Sequence, residues 1–276
     1  MAFNIVEGEG RTYWVAADGS STYYVGQIVS VIAASAAQTY GTVLPLAVPA
    51  GAFDATNLQV PCGIVTAIND RKPTYDSTTG LQTVTGSYLT KAAQAARDWT
   101  GAEGMYVKSD PQVLLQITEI LPQTIIRGTI FNAAYGTAPT LLTNTGTDTT
   151  GGTTAFATNA CDFTNVAKCG TIYCRTGTNA GIYRISKDTS TTAPSVNTAF
   201  PNNIAVGDTF VRVPFKQGAS TIYIGGPGLY VDCSKNPVIA GTTLFGAFVY
   251  NLNLAVSGSE YVDFRFNGDH FNLARA

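Results

Sequence analysis

The sequence predicts a mainly β protein, built as two β-rich domains of barrel or sandwich type with one short helix in the first. Three observations predict it. Apolar residues recur at every second position in segment after segment. Gly, Asn, Asp and Pro signals punctuate those segments at short intervals. The long amphipathic stretches that cross over between parallel strands are missing, which counts against an α/β arrangement. With 276 residues, the chain is long enough for one large or two ordinary domains, each with its own core.

Taken in order, "RTYWVAADGSSTYYVGQIVSVIAA" sets Tyr13 and Val15 on one face. It then offers an Asp18-Gly19 turn signal and a long apolar run. "VPCGIVTAIND" reads as a buried strand. "DPQVLLQITE" places Val113, Leu115 and Ile117 on one side and Gln116 and Thr118 on the other, and "QTIIRGTIFN" is its expected partner. Between them "YLTKAAQAARDWTG" has Leu89, Ala92, Ala93, Ala96 and Trp99 at helical spacing with Gly101 as a stop. It predicts a helix near residues 88–100 whose Ala stripe packs on a sheet.

Composition shifts at "AAYGTAPTLLTNTGTDTTGGTT", a Thr and Gly tract with little patterning. It reads as a linker or long exposed loop over 136–158, between an N-terminal domain at 1–135 and a C-terminal one at 159–276. In the second half "GTIYCRTGTNAGIYRISKD" reads as a hairpin with "GTNAG" at its tip, and "IAVGDTFVRVPF" puts Val211, Val213 and Phe215 on one face. "TTLFGAFVYNLNLAV" alternates Leu244, Phe248, Tyr250, Leu252, Leu254 and Val256 on one side. Its other side mixes Phe245 and Val249 with Asn251 and Asn253. "EYVDFRFNGDH" turns Val262, Phe264 and Phe266 inward and Asp263 and Arg265 outward. Strands so spaced argue for a sandwich or barrel.

Charge narrows the function. Asp, Glu, Lys and Arg make up 12% of the chain, about half the usual ~25%. The formal net charge is -2, and no basic stripe is present to neutralise phosphates, which argues against nucleic acid as a partner. Thr, Ser, Asn, Gln, Gly and Tyr must supply the polar surface. A weakly charged surface with 11% aromatics resists aggregation poorly, so partners or further copies are expected to cover much of it. "MAFNIVEGEGRTYW" has neither the basic start nor the apolar stretch of a secretory signal. No run reaches the roughly 18 apolar residues of a membrane helix, so no membrane partner is expected. The chain reads as a soluble product of the cytosol that makes it.

Three of the five cysteines crowd into "CDFTNVAKCGTIYCR". Zinc sites use close pairs matched by a second pair or by histidines. Here the spacing is Cys161-x7-Cys169-x4-Cys174, with Cys233 and Cys62 distant and His270 the one histidine. Cys169 and Cys174, five apart in a strand, point to opposite faces, and Cys174 shares a side with Ile172. The cluster reads as buried thiols, with a disulfide from Cys161 or Cys169 to Cys233 the next reading and no metal expected. The odd total also fits a reducing compartment. No catalytic residue or cofactor is expected. His270 alone would have to serve a Ser or Cys nucleophile. Asp54, Asp70, Asp76, Asp188, Asp208 and Asp263 fall at turns or strand ends, where capping explains them. "GGPG" at 225–228 lacks the Lys-Ser/Thr and helix of a phosphate loop. Asp148 is the lone acid of "TNTGTDTTGG", against the several that a calcium loop needs.

Resemblance adds a direction. "YYVGQIVSVIAA" followed by "PCGIVTAIND" resembles the N-terminal pattern of tailed-bacteriophage capsid cement (decoration) proteins. "EGMYVKSDPQVLLQITE" and "TIIRGTIFNA" are similar to strands of phage virion proteins. "RTGTNAGIYRIS", then "AFPNNIAVGDTFVRV", resembles a run found in phage structural proteins. The likeness covers about half of the chain, and a whole second β-domain sets it apart from the smaller cement proteins. It implies a non-enzymatic virion protein on the outer surface of the head, a homotrimer that bridges capsomers of the major capsid protein. The aromatic cluster Tyr13, Trp14, Tyr23 and Tyr24 supplies candidate interface anchors; the plainer reading divides these residues between core and surface. Alternatives are a tail-tube, baseplate or head-fibre subunit. From a different class comes a carbohydrate-binding module or receptor-binding adhesin, whose Tyr and Trp stack on host glycans while Asn and Thr bond their hydroxyls.

Overall fold

A computed structural model describes residues 2–17, 22–32, 46–49, 61, 63–69, 74–84, 114–132, 139, 141–143, 170–188, 194–225, 228–234 and 244–267. These residues are mainly β and include no helix. The expected helix near 88–100, the Asp18-Gly19 turn, Cys62, Cys161, Cys169, Asp54, Asp70, Asp148 and His270 lie outside them. The chain divides into two compact units. One is built on Met1–Arg127 with Ile224–Tyr230, the other on Gly128–Tyr223 with Val231–Asn267.

In the first unit, β1 (Phe3–Ala17), β3 (Ile28–Ile32), β4 (Leu46–Pro49), β5 (Gly63–Asn69) and the first part of β8 (Leu114–Phe131) hydrogen-bond in the order β1-β4-β3-β5-β8. The β1–β8 pairing closes that order into a five-stranded ring. Closure leaves no free sheet edge among those strands. A separate sheet runs β2 (Tyr23–Tyr24), β7 (Gln82–Val84), β6 (Thr74–Tyr75). Tyr23, Val29, Val65, Ile68, Leu115 and Ile117 form the core, with Tyr13 and Val25 packed against it. Each large apolar side chain so buried contributes about 1.5–3 kcal/mol.

One expectation is corrected here. "DPQVLLQITE" and "QTIIRGTIFN" are not partners across a turn: both lie within the single strand β8, which pairs with β5 and β1. Pro122 breaks the apolar pattern without reversing the chain, because Thr124 repairs the ladder around it. The Thr124 hydroxyl accepts from the Leu121 N–H at 2.8 Å and donates to the Gly8 carbonyl of β1 at 2.6 Å.

The second unit holds a five-stranded sheet ordered β12-β11-β10-β13-β9. Its strands are β9 (Leu141–Thr143), β10 (Thr171–Cys174), β11 (Gly181–Asp188), β12 (Pro194–Val196) and β13 (Thr209–Val213). Strand β9 lies inside the Thr/Gly tract read as a linker and pairs with β13 through Phe210↔Leu142. The hairpin read from "GTIYCRTGTNAGIYRISKD" forms as expected, β10 meeting β11 with Cys174 opposite Gly181. Gly177 at its tip has φ +83° and lies so close to the Asp208 carboxylate that a Cβ would collide with it. Ile172, Cys174, Tyr183, Ile185, Val196, Phe200, Ile204 and Phe210 form one core beside this sheet. Phe210 is buried on one side of β13, and Val211 and Val213 on the other, as a strand covered on both faces requires.

Also in this unit, β14 (Gly218–Gly225), β16 (Leu244–Asn253) and β17 (Tyr261–Phe266) pair in that order, and β15 (Tyr230–Asp232) pairs in parallel with the end of β8. Val262, Phe264 and Phe266 are buried as expected, although Asp263, expected outward, is only 6% exposed. Strand β16 departs from its expected alternation. Phe245, Ala247 and Val249 are buried, Phe248 and Tyr250 are exposed, and Leu252 and Leu254 are buried again. A register shift between Val249 and Asn251 inserts Tyr250 as an extra residue and exchanges the two faces.

Candidate functional site

The four aromatic residues singled out in the sequence part company in the structure. Tyr23 is fully buried in the core of the first unit, and Tyr13 is half-buried against that core. Tyr24 is half-buried too. Burial and the nearby Asp76 charge push its phenol above the usual range, against a hydrogen bond with Thr83. Trp14 is 41% exposed and stands on the outside of β1.

Around Trp14 the chain does something unusual for so long a strand. Successive strand residues point to opposite faces, yet Val6 and Glu7 are both exposed, as are Arg11 and Thr12. Gly8, at φ +74°, breaks the alternation, and Ile5, Gly8, Gly10 and Tyr13 stay half-buried between the exposed residues. Strand β1 thus keeps one covered side, and its exposed side changes parity along the strand. Pro122 and Gln123 of the paired β8 are exposed as well. The two strands hold each other through the Thr124–Gly8 bond and a Thr12–Thr118 hydroxyl contact of 3.1 Å, with the Arg11–Glu119 ion pair at 3.8 Å. Arg11 is 90% exposed on its side chain, so that pair adds little. Val6, at 50% exposure, and Trp14 leave apolar area in water on this ribbon.

A second exposed feature was hidden in the sequence by the bulge. On the outer side of β16 and β17 the Phe248 and Tyr250 rings meet at a centroid distance of 5.0 Å and 58° between planes. Arg265, directly across from Phe248, lies 5.6 Å from one ring centre and 5.8 Å from the other. Beside them the Asn251 amide donates to Asp263 at 3.3 Å and lies 3.4 Å from the Tyr261 hydroxyl. Strict alternation placed both rings on the same face as buried Leu252. Only the bulge re-aims them, and no residue in "FVYNLN" announces it.

The remaining polar groups serve the fold. Asp76 caps its own turn, accepting from the N–H of Thr78 and from the N–H and hydroxyl of Thr79, and these bonds hold its carboxyl below the usual range. Asp208 accepts from the Ala205 N–H at 2.9 Å. Cys174 is buried beside Ile172. Cys233 is half-buried, and burial, with the Asp232 charge second, pushes its thiol up to about 12. No three potential metal ligands converge among the described residues. The chain matches no protein-family model, no curated protein and no solved structure.

Proposed function

We propose that this protein is a non-enzymatic bacteriophage virion protein, a cement subunit that binds the outer surface of the head and bridges neighbouring capsomers of the major capsid protein as a homotrimer. The virion assignment rests on the sequence resemblance. The structural observation that supports an assembly role is the β1–β8 ribbon, whose outer side carries exposed Val6 and Trp14. A strand ladder normally gains its stability by burying at least one face. Apolar area left exposed on the other face is buried on docking.

A subunit of this kind works through area, not through a reacting group. Burial returns about 25 cal/mol per Å² of apolar surface, against the cost of association. An exposed Trp is of the residue type that dominates interface energies. Glu7, Glu9 and Arg11 are exposed on the same ribbon, so a partner closing over it must supply polar groups to match them.

The test is co-sedimentation with phage heads that lack the protein, together with the melting temperature of the shell. Saturable binding at a fixed ratio to capsid subunits and a raised melting point support the reading. Absence of binding removes it in favour of a tail-tube, baseplate or head-fibre role.

A further inference from the structure

The geometry points to a binding site for an acidic saccharide on the outer face of β16 and β17, which we propose as a second function of this chain. It does not depend on the assembly reading, which rests on β1 and β8. Phe248 and Tyr250 are 38% and 41% exposed, and they stand side by side where one bulge has turned them out of the sheet. Bulges re-aim side chains next to functional sites more often than elsewhere. Two adjacent exposed rings form an apolar patch of the kind that marks a ligand site, unlike a lone exposed residue.

The neighbouring groups select the occupant. The C–H face of a pyranose is apolar and fits a ring pair opened at 58°. Arg265 lies over both rings and makes no ion pair with any described residue, which leaves its guanidinium hydrogens for a ligand. A guanidinium held in that way takes a carboxylate by charge-assisted hydrogen bonds. Asn251 is exposed and already oriented by Asp263 and Tyr261. Both amide hydrogens are taken by those partners, and its amide oxygen is left to accept from a sugar hydroxyl. Stacking surface, cation and amide on one face together describe a uronic or sialic acid residue within a glycan. A proline-rich peptide would use the rings but neither the Arg265 charge nor the amide.

The experiment is titration calorimetry of the full chain with three probes: sialyllactose, a tetrasaccharide of alternating glucuronate and N-acetylglucosamine, and neutral maltotetraose. At least one of the two acidic probes should bind saturably and more tightly than maltotetraose. Tyr250→Ala and Phe248→Ala should each weaken that binding about tenfold, the loss expected for a stacked ring. Arg265→Gln should abolish the preference for the acidic probe while leaving weak stacking. Far-UV circular dichroism establishes that these surface variants fold, and Phe248→Leu offers a milder change at the same position. No binding by the wild type, equal binding of acidic and neutral probes, or binding unchanged in Tyr250→Ala and Arg265→Gln would overturn the proposal. Self-association that Tyr250→Ala abolishes, with no saccharide bound, would assign the face to a second copy and overturn it equally.

Discussion

Arg175 and Glu260 form a buried ion pair in the second unit, their side chains only 8% and 1% exposed. Arg175 follows β10 where the chain enters the hairpin loop. Its guanidinium donates to the Glu260 carboxylate just ahead of β17 and, through Nε, to the Leu254 carbonyl after β16 at 2.8 Å. Glu260 in turn accepts through its carbonyl from the Ile130 N–H of β8 at 3.0 Å. One pair thus fastens the five-stranded sheet to the β16–β17 turn.

Removing either partner strands the other charge in a dry site. Arg175→Met and Glu260→Gln should each destabilise the protein by about 3–5 kcal/mol. The double variant should lose less than the sum, since no orphan charge remains. Urea unfolding followed by circular dichroism measures all three.

Gly177→Ala tests the hairpin tip. An alanine there must adopt φ +83° and meet the Asp208 carboxylate. The backbone alone costs about 1–2 kcal/mol, and the collision adds to it. Gly207→Ala shares the positive φ but meets no atom within 4 Å, so it should lose only the backbone contribution. The difference in unfolding free energy between the two variants reports the contact.

Cys233 makes stability depend on alkaline pH. Its thiol rises from the usual 9.0 to about 12 in the folded chain. The neutral thiol is thus favoured in the native state, and that contribution is whole below pH 9. It is lost as pH rises from there toward 12, because the unfolded chain releases the proton first. Cys233→Ala should flatten this part of the stability profile. Iodoacetamide should modify Cys233 far more slowly in the folded than in the unfolded protein, since the thiolate is the nucleophile.

Trp14→Ala should leave the fold intact, within about 0.5 kcal/mol as for other surface changes. Binding to heads should weaken by about tenfold or more, as for an anchor at the centre of an interface. Tyr23→Ala should do the reverse. It empties a core position at about 3–5 kcal/mol, and it affects binding only through unfolding.

Much of the strand pattern was legible because period two survives wherever a strand runs undisturbed. The β10–β11 hairpin, the burial of Cys174 with Ile172, and the inward Val262, Phe264 and Phe266 all follow from it. It failed where one residue changes the parity. Tyr250 in the β16 bulge carried Phe248 to the surface with it, and "QTIIRGTIFN", expected to partner "DPQVLLQITE", continues the same strand past Pro122. The Arg175–Glu260 pair was out of reach for another reason: its partners lie 85 residues apart, and nothing in single-sequence patterning joins them. Tyr23 and Trp14 belong to the same aromatic run, yet one is core and the other surface, because they lie on different strands, β2 and β1.

The most direct test is amide hydrogen exchange of the protein, free and bound to phage heads, read along residues 3–14. Docking through the β1–β8 ribbon predicts that these amides, and those flanking Pro122, exchange more slowly once heads are saturated. Unchanged exchange over 3–14 while another segment becomes protected would contradict the account and move the contact elsewhere on the chain.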